Sequence, residues 1–552
     1  MKINLNAWQL IMVALLAFAC DSEDSKESSE QQGGIVAGAQ GGIPSMDMLI
    51  NDLDQKITVD MMGNASTDMQ TAGTMGGIMM DMQVAGSMGG SMGGSMGGSM
   101  GGSMMPVENP TYHKDVRPII DKHCLNCHNG QSVAPYDFND HELTISMGNT
   151  ILFDIENGNM PPWYVSDDCA PLKEKLKLAD FEVQTIRNWV EQGKIVGDES
   201  DFVAPERINP DINSEVLVNA EQIEIFPSEA YVVPQDRVDD FRCFTISSPF
   251  MNQRSVIGYE AMIDNEMVAH HMLILSLDGS DANRNKIQEL EAQDDQPGFD
   301  CYGVPSFEGL KLLGAWAPGG GKVGFPQSTG LEIKENSIFV VQMHYNTILG
   351  RGVDQSGAKL WFAPAQTTSL PAELVFVGNL PFEIPAGVNG MNVPEEDCDV
   401  VYGMSDDAFP RPLRGVHERD ASAQPSLVGR SGCVIQELYY QTDLPLKVFA
   451  AFPHMHTKGK SLEISLSSWN EQDGQMQVDP NSEKCMIKTT RWDFNWQKTY
   501  WFEQPIRNYT KGKLKLVCRF DNSQGTEPIQ LGEGTMDEMC LGLLYVSLGI
   551  GP

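Results

Sequence analysis

Val448-Phe-Ala-Ala-Phe-Pro-His454-Met-His456-Thr-Lys-Gly459 is the stretch whose reading sets the fold class. The run up to His454 is rich in apolar, β-branched and aromatic residues and predicts a strand. Side chains alternate between the two faces of a strand, so His454 and His456, two apart, project to one side and can converge on one metal ion. Two further runs of the same character carry histidine: Val268-Ala-His270-His271-Met272-Leu-Ile-Leu and Ile338-Phe-Val-Val-Gln-Met-His344-Tyr-Asn. His270 and His271 are neighbours and would face opposite ways on a regular strand. Sharing one ion would need a bulge or a strand end there. Spacing alone therefore supports the His454/His456 pair better than the first cluster, and for an isolated pair core or surface histidines are the better reading than a metal site.

The order of the surrounding motifs adds to this. His270-His271-Met272-Leu-Ile-Leu is followed by Gly314-Ala-Trp-Ala-Pro with Val323-Gly-Phe, then Met343-His344-Tyr345. His454-Met-His456 with Gly459 and Gly534-Thr-Met-Asp-Glu-Met539-Cys540 complete the series. Over about residues 215–552 this resembles the type II copper monooxygenases, the peptidylglycine α-hydroxylating and dopamine β-monooxygenases. The resemblance implies two tandem all-β, jelly-roll-like sandwiches over 201–375 and 376–552, each holding one of two copper ions on opposite sides of a solvent cleft. It implies that His270, His271 and His344 bind the electron-storing copper, and that His454, His456 and Met539 bind the catalytic copper where O2 is activated. Three imidazoles hold both Cu(II) and Cu(I), whereas exchanging one for a thioether biases a site towards Cu(I). The implied reaction puts one oxygen atom into a C–H bond, releases the other as water and consumes two electrons, which requires an open coordination position.

In the same family a bridge at the position of Cys518 and Cys540 fixes the segment carrying the methionine ligand, and closing such a loop would stabilise by roughly 3 kcal/mol. Cys243 and Cys301 bracket His270-His271 and are expected to pair as well. Cys169, Cys398, Cys433 and Cys485 leave three pairings open. The match fails where the peptide-amidating enzyme reads its substrate's carboxylate. That enzyme has an Arg two residues before His-x-His and a Tyr four residues after the Met ligand; here these are Phe452 and Leu543. The carboxylate clamp is absent, and the two apolar residues are either a pocket wall or core. The substrate is left as an unidentified small organic molecule.

Upstream, Cys124-Leu-Asn-Cys127-His128 places two thiols at the spacing that forms thioethers to haem, with His128 as proximal iron ligand. Alone it also reads as a redox pair or half a zinc site. Asn157-Gly-Asn-Met160-Pro161-Pro162-Trp163 resembles the distal methionine loop of small c-type cytochromes, which makes Met160 the sixth ligand and Met147 its competitor. Asp180-Phe-Glu-Val-Gln-Thr-Ile-Arg-Asn-Trp-Val-Glu-Gln-Gly193 reads as an amphipathic helix with a Gly cap, like that family's last helix. The expectation is a small all-α c-type cytochrome domain over 106–200 with one covalently attached haem c. A short connector, residues 197–213, would hold it near the copper domains as a relay from a periplasmic donor or an ascorbate-like reductant. A non-catalytic haem- and copper-binding lipoprotein that transfers electrons or stores copper is the alternative. His113, His123, His141 and His417 fit none of these sites and are expected to be surface or local structural residues.

At the N-terminus, Lys2 precedes Leu10-Ile-Met-Val-Ala-Leu-Leu-Ala-Phe-Ala19, too short to span a bilayer comfortably. It reads as a lipoprotein signal peptide over 1–19, with Cys20 lipidated as the membrane anchor; ordinary secretion with Cys20 a bystander is the other reading. Residues 20–105 include four Ser-Met-Gly-Gly copies from Ser87 to Gly102 and predict a disordered tether with a reach of roughly 50 Å. Its methionines read as repeat expansion or as soft Cu(I) ligands. A formal charge of −37, from 75 acidic and 38 basic residues, excludes a generic nucleic-acid surface. The chain is expected to be exported, periplasmic or on the surface of a bacterial cell.

Overall fold

The computed structural model describes residues 105–132, 134–206, 211–302, 307–348, 350–364, 369–378, 380–403, 430–441, 446–472, 475–507 and 509–548. The signal peptide, Cys20, the tether up to residue 104 and His417 lie outside the described residues. No helix among the described residues is long and apolar enough to cross a membrane.

β-sheet is the predominant regular structure of the described residues. Ile338–Asn346 shows why the strands form where they do. Phe339, Val341, Met343 and Tyr345 face one buried cluster, shared with Met272 and Ile274. Ile338 and Val340 face another, shared with Leu275, Phe299 and Ile287 of the helix Asp281–Glu291. A strand covered on both faces reads as a continuous apolar run, and this one does. It is the middle strand of a five-stranded sheet, between Asp239–Ser247 and Ala269–Leu277.

The two sandwiches are joined through backbone. Leu370–Gly378 pairs parallel with Thr329–Ile333 and antiparallel with Leu541–Leu548. Its two ladders merge the halves into one nine-stranded sheet that ends at Leu446–His454 and Tyr500–Arg507. The five-stranded sheet covers the first half of it, and a six-stranded sheet built on Gly459–Gln472 and Lys511–Phe520 covers the second. The seam is also sealed by side chains: Tyr545 lies in the first core and its hydroxyl meets Thr329 Oγ1 at 2.9 Å.

Residues 105–206 contribute the helices Arg117–His123, His141–Ser146, Gly148–Glu156 and Asp180–Glu191. They close on Tyr112, Val116, Ile120, Leu125, Ile186 and Trp189. The last helix ends at the left-handed Gly193, φ +86°, the conformation that favours glycine after a helix. Gly148 lets Trp189 approach so closely that a Cβ there would lie 2.6 Å from its ring. Residues 163–176 leave this helical cluster and extend the C-terminal sandwich. Val165 bridges to Thr489 and Leu172 to Phe502, and Trp163, Val165 and Leu172 are buried with Tyr500 and Met486.

Cys243–Cys301 and Cys518–Cys540 are bonded, and the open pairing resolves to Cys169–Cys485 and Cys398–Cys433. The bond between Cys169 and Cys485 spans 316 residues and staples the 163–176 segment to the sandwich. Replacing both with Ser is expected to lower unfolding stability by about 2–4 kcal/mol. The check is the denaturant midpoint under non-reducing conditions; an unchanged midpoint would show that the β-bridges and buried Trp163 suffice.

Candidate metal centre

The neighbouring histidines are accommodated by a register change. His344 sits opposite His271, but the next residue, Tyr345, sits opposite Ala269. His270 is thus the extra residue of a bulge, and both its side chain and that of His271 turn towards His344. Ring centroids are 4.1 Å apart for His270 and His271, 5.1 Å for His270 and His344, and 5.7 Å for His271 and His344. One nitrogen from each lies within 4.8 Å of the others, a spacing that one metal ion can bridge. His344 Nε2 is hydrogen-bonded to Asp239 at 2.9 Å, which leaves Nδ1 for a ligand. Phe241 stacks on the His344 ring at 4.2 Å. Burial alone would raise the Asp239 carboxyl, but the hydrogen bonds from His344 and Thr535 outweigh it and hold it down at about 2.

The second set forms at the end of Leu446–His454. His454 and His456 have centroids 5.1 Å apart. His454 Nδ1 meets Gln497 Oε1 at 2.5 Å and His456 Nδ1 meets the Asp537 carbonyl at 3.1 Å, so each offers Nε2. The Glu538 carboxylate ties the two ligand segments together. Its Oε2 accepts from the backbone N–H of His456 at 2.9 Å and of Met539 at 3.2 Å; its Oε1 accepts from Gly459 at 3.2 Å and from Lys458. Glu538 is fully buried and Met539 is 4 % exposed. The bonded Cys540 follows directly and anchors this segment to Cys518.

The implied solvent cleft between the two sets is not what the structure contains. His271 and His454 are 5.7 Å apart, centroid to centroid, and Phe494 lies 4.5 Å from His270 and 6.0 Å from His456. The physical reason is face-to-face packing: the five-stranded sheet carrying Ala269–Leu277 shares its core with Ala450 of Leu446–His454 in the nine-stranded sheet, and residues 491–498 cover the histidines. Phe452 stacks near His454 at 6.0 Å and lines a small crevice with Trp316, Pro318, Trp496 and Lys498. Leu543, directly opposite Phe452, belongs to the buried core.

Upstream, Cys124 and Cys127 are unbonded. Burial pushes the Cys124 thiol up to about 12 and the Cys127 thiol up to about 11. A nucleophilic redox thiol needs the opposite shift, which argues against that reading of the pair. His128 Nδ1 meets the Pro135 carbonyl at 2.6 Å, and its ring stacks on Phe138 at 4.5 Å, which leaves Nε2 for a ligand. Met147 packs against the helical core, whereas Met160 is 38 % exposed. His123 pairs with Glu182 and His141 with the Tyr112 hydroxyl, so both are local structural residues.

Sequence reading missed Asp239, Gln497, Glu538 and Phe494. Two stand in stretches with a visible signal: Phe494 in the aromatic-dense Trp492-Asp-Phe494-Asn-Trp496, and Glu538 inside the Gly534–Cys540 motif, where only Met539 was given a role. Desolvation dominates the imidazoles: it lowers His270 and His454 to about 3 and His456 to about 4, and holds His271 well below its usual value. The folded cluster therefore refuses protons that unfolded histidines bind below about pH 6.5. The metal-free protein is expected to lose stability as pH falls from about 6.5 towards 4, by about 2 kcal/mol at pH 5 for each histidine kept neutral. Denaturant midpoints at pH 7 and pH 5 test this, and His454→Gln should flatten the acid limb.

Two family models match the chain. Residues 227–351 match the N-terminal domain of the copper type II ascorbate-dependent monooxygenases, and residues 424–547 match their C-terminal domain. Among solved structures, PNGF-II is similar at 11 % identity over 64 % of this chain and 71 % of its own, with a TM-score of 0.22. The VP2 subviral particle of infectious bursal disease virus is similar at 8 % identity over 60 % and 72 %, with a TM-score of 0.17. Likenesses of that size carry no argument. The two domain matches, each spanning one histidine set, do: the chain carries both the N-terminal and C-terminal domains of the copper type II ascorbate-dependent monooxygenases in tandem, and it is an oxygen-using oxidoreductase.

Proposed function

We propose that the protein hydroxylates a C–H bond of a small, apolar organic substrate with O2 and two electrons. The observation that carries this reading is the donor set: five imidazoles in one cluster, four of them buried, with both nitrogens of His270 and Nε2 of His271 lacking a hydrogen-bond partner among the described residues. Buried polar atoms without partners are costly, and a bound metal ion removes that cost. His270, His271 and His344 would hold one copper ion, and His454, His456 and Met539 the other. Copper supplies electron storage at the all-imidazole set and O2 activation at the set with the thioether.

The chain's own residues prepare these ligands. Asp239, Gln497 and the Asp537 carbonyl each take one imidazole nitrogen, which orients the ring and directs the other nitrogen inward. Phe241, Phe452 and Phe494 pack around the rings and exclude water. The apolar crevice at Phe452 would hold the substrate's hydrocarbon part next to His454. Without the Arg of the amidating enzymes at that position, a peptide carboxylate has no partner there.

Cys124, Cys127 and His128 would hold one haem c, with Met160 as sixth ligand, because the two thiols are unbonded and His128 keeps one nitrogen free. Haem there would pass electrons to the copper sites. The family's reductant is ascorbate, and a periplasmic donor would serve an exported, Cys20-anchored protein equally. Copper and haem content per chain, measured on protein matured where haem can be attached, tests the reading. Two coppers per haem are expected, and Met539→Ala should lose one while keeping the haem. Full haem with one copper or none would leave a non-catalytic electron carrier.

A further inference from the structure

Residues 491–498 touch the histidine cluster and the Cys-x-x-Cys-His segment at the same time. On the cluster side, Phe494 packs on His270 at 4.5 Å, Gln497 Oε1 meets His454 Nδ1, and Trp492 Nε1 donates to the His456 carbonyl at 2.9 Å. On the other side, Trp496 and Cys127 approach each other across Gly319. A Cβ on that left-handed glycine, φ +84°, would lie 3.0 Å from the Trp496 ring and 3.8 Å from Cys127 Sγ. Only the absence of a side chain at Gly319 allows so close an approach.

Flanking contacts hold this seam closed. Arg491 bonds the side chain of Asn159 beside Met160, and its guanidinium lies 5.1 Å over the Tyr164 ring. Lys498 pairs with Glu174 at 2.7 Å, with both side chains largely buried. The disulfide Cys169–Cys485 and the bridges of Val165 and Leu172 fix the same interface. A loop that served only to cover the histidines would not need a second set of contacts to the thiol pair.

We propose that residues 492–498 are the electron route from the segment 124–128 to the histidine cluster, entering at Trp496 beside Cys127 and leaving from Phe494 against His270. This rests on the reading that the two sites hold haem c and copper. Each transfer moves one electron from ferrous haem, which becomes ferric, to Cu(II) at the His270 set, which becomes Cu(I); no bond or proton moves. A one-electron reductant of the ascorbate class restores the haem, and two transfers supply the two electrons of one turnover. Electronic coupling falls steeply across every gap, so two rings linked through two peptide bonds, each against one of the two sites, are favoured over a path through solvent.

The test uses full-chain protein loaded with haem and Cu(II). A pulse of radiolytically generated reductant injects one electron into the haem under anaerobic conditions, and the decay of the ferrous haem band is followed. In the wild type, decay should be first-order and independent of protein concentration, with matching loss of the Cu(II) paramagnetic signal. Trp496→Leu and Phe494→Leu should slow it several-fold, and Trp496→Phe should restore most of the rate. Copper content, the resting Cu(II) spectrum and the haem potential should stay as in the wild type. Leu variants that decay at the wild-type rate would overturn the route while leaving the haem relay intact, as would slowing that only tracks lost copper. Ferrous haem that persists in the Cu(II)-loaded wild type would overturn the relay itself, and the route with it.

Discussion

The double pairing of Leu370–Gly378 is the constraint on which the rest of the arrangement depends. One edge of this strand runs parallel to Thr329–Ile333 and the other antiparallel to Leu541–Leu548. Every inter-strand hydrogen bond in those two ladders would have to open before the sandwiches could part. Because Leu446–His454 lies next to Leu541–Leu548, the strand end bearing His454 is set by the same sheet that supports the first core. Asp239 adds a polar tie across the halves, accepting from Thr535 N at 3.0 Å and from its hydroxyl while it orients His344.

A second constraint is desolvation. Five imidazoles sit together away from water, where a proton on one would be repelled by any charge on the others. Burial keeps His270, His271, His454 and His456 neutral, and His344, His454 and His456 each have a defined second partner, so the nitrogens left over are lone-pair donors pointed at common space. This is the state a copper site requires, and it is reached without a nearby cation. The acidic groups that do approach the cluster, Asp239 and Glu538, are spent on hydrogen bonds to side chains and backbone.

The upstream segment joins the sandwich partly as structure. Trp163, Val165 and Leu172 bury against Tyr500 and Phe502, and burial of one such side chain is worth about 1.5–3 kcal/mol. The helices that follow Tyr112 keep their own small core, so the thiol pair rides on a separate cluster that is nonetheless fastened by a disulfide and two β-bridges. Residues 491–498 sit where the two cores and the histidines meet, and a single short run therefore serves all three.

Strand character around each histidine, the common facing of His454 and His456, the capped helix before Gly193 and the thiol pair Cys124/Cys127 were determined by the sequence itself. They rest on local periodicity and spacing, which a chain carries without folding. Whether His270 and His271 could share one ion was open, because a bulge is a property of the pairing between Ala269–Leu277 and Ile338–Asn346 and not of either strand alone. The pairing of Cys169 with Cys485, 316 residues away, was equally open. Asp239, 105 residues from His344, carries no signal, and Glu538, 82 from His456, shows no tie to that histidine until folding brings them together. The merging of two sandwiches into one sheet, and the closing of the expected cleft, were decided only by tertiary structure, because long-range ladders and shared burial, unlike periodicity, exist only between segments already in place.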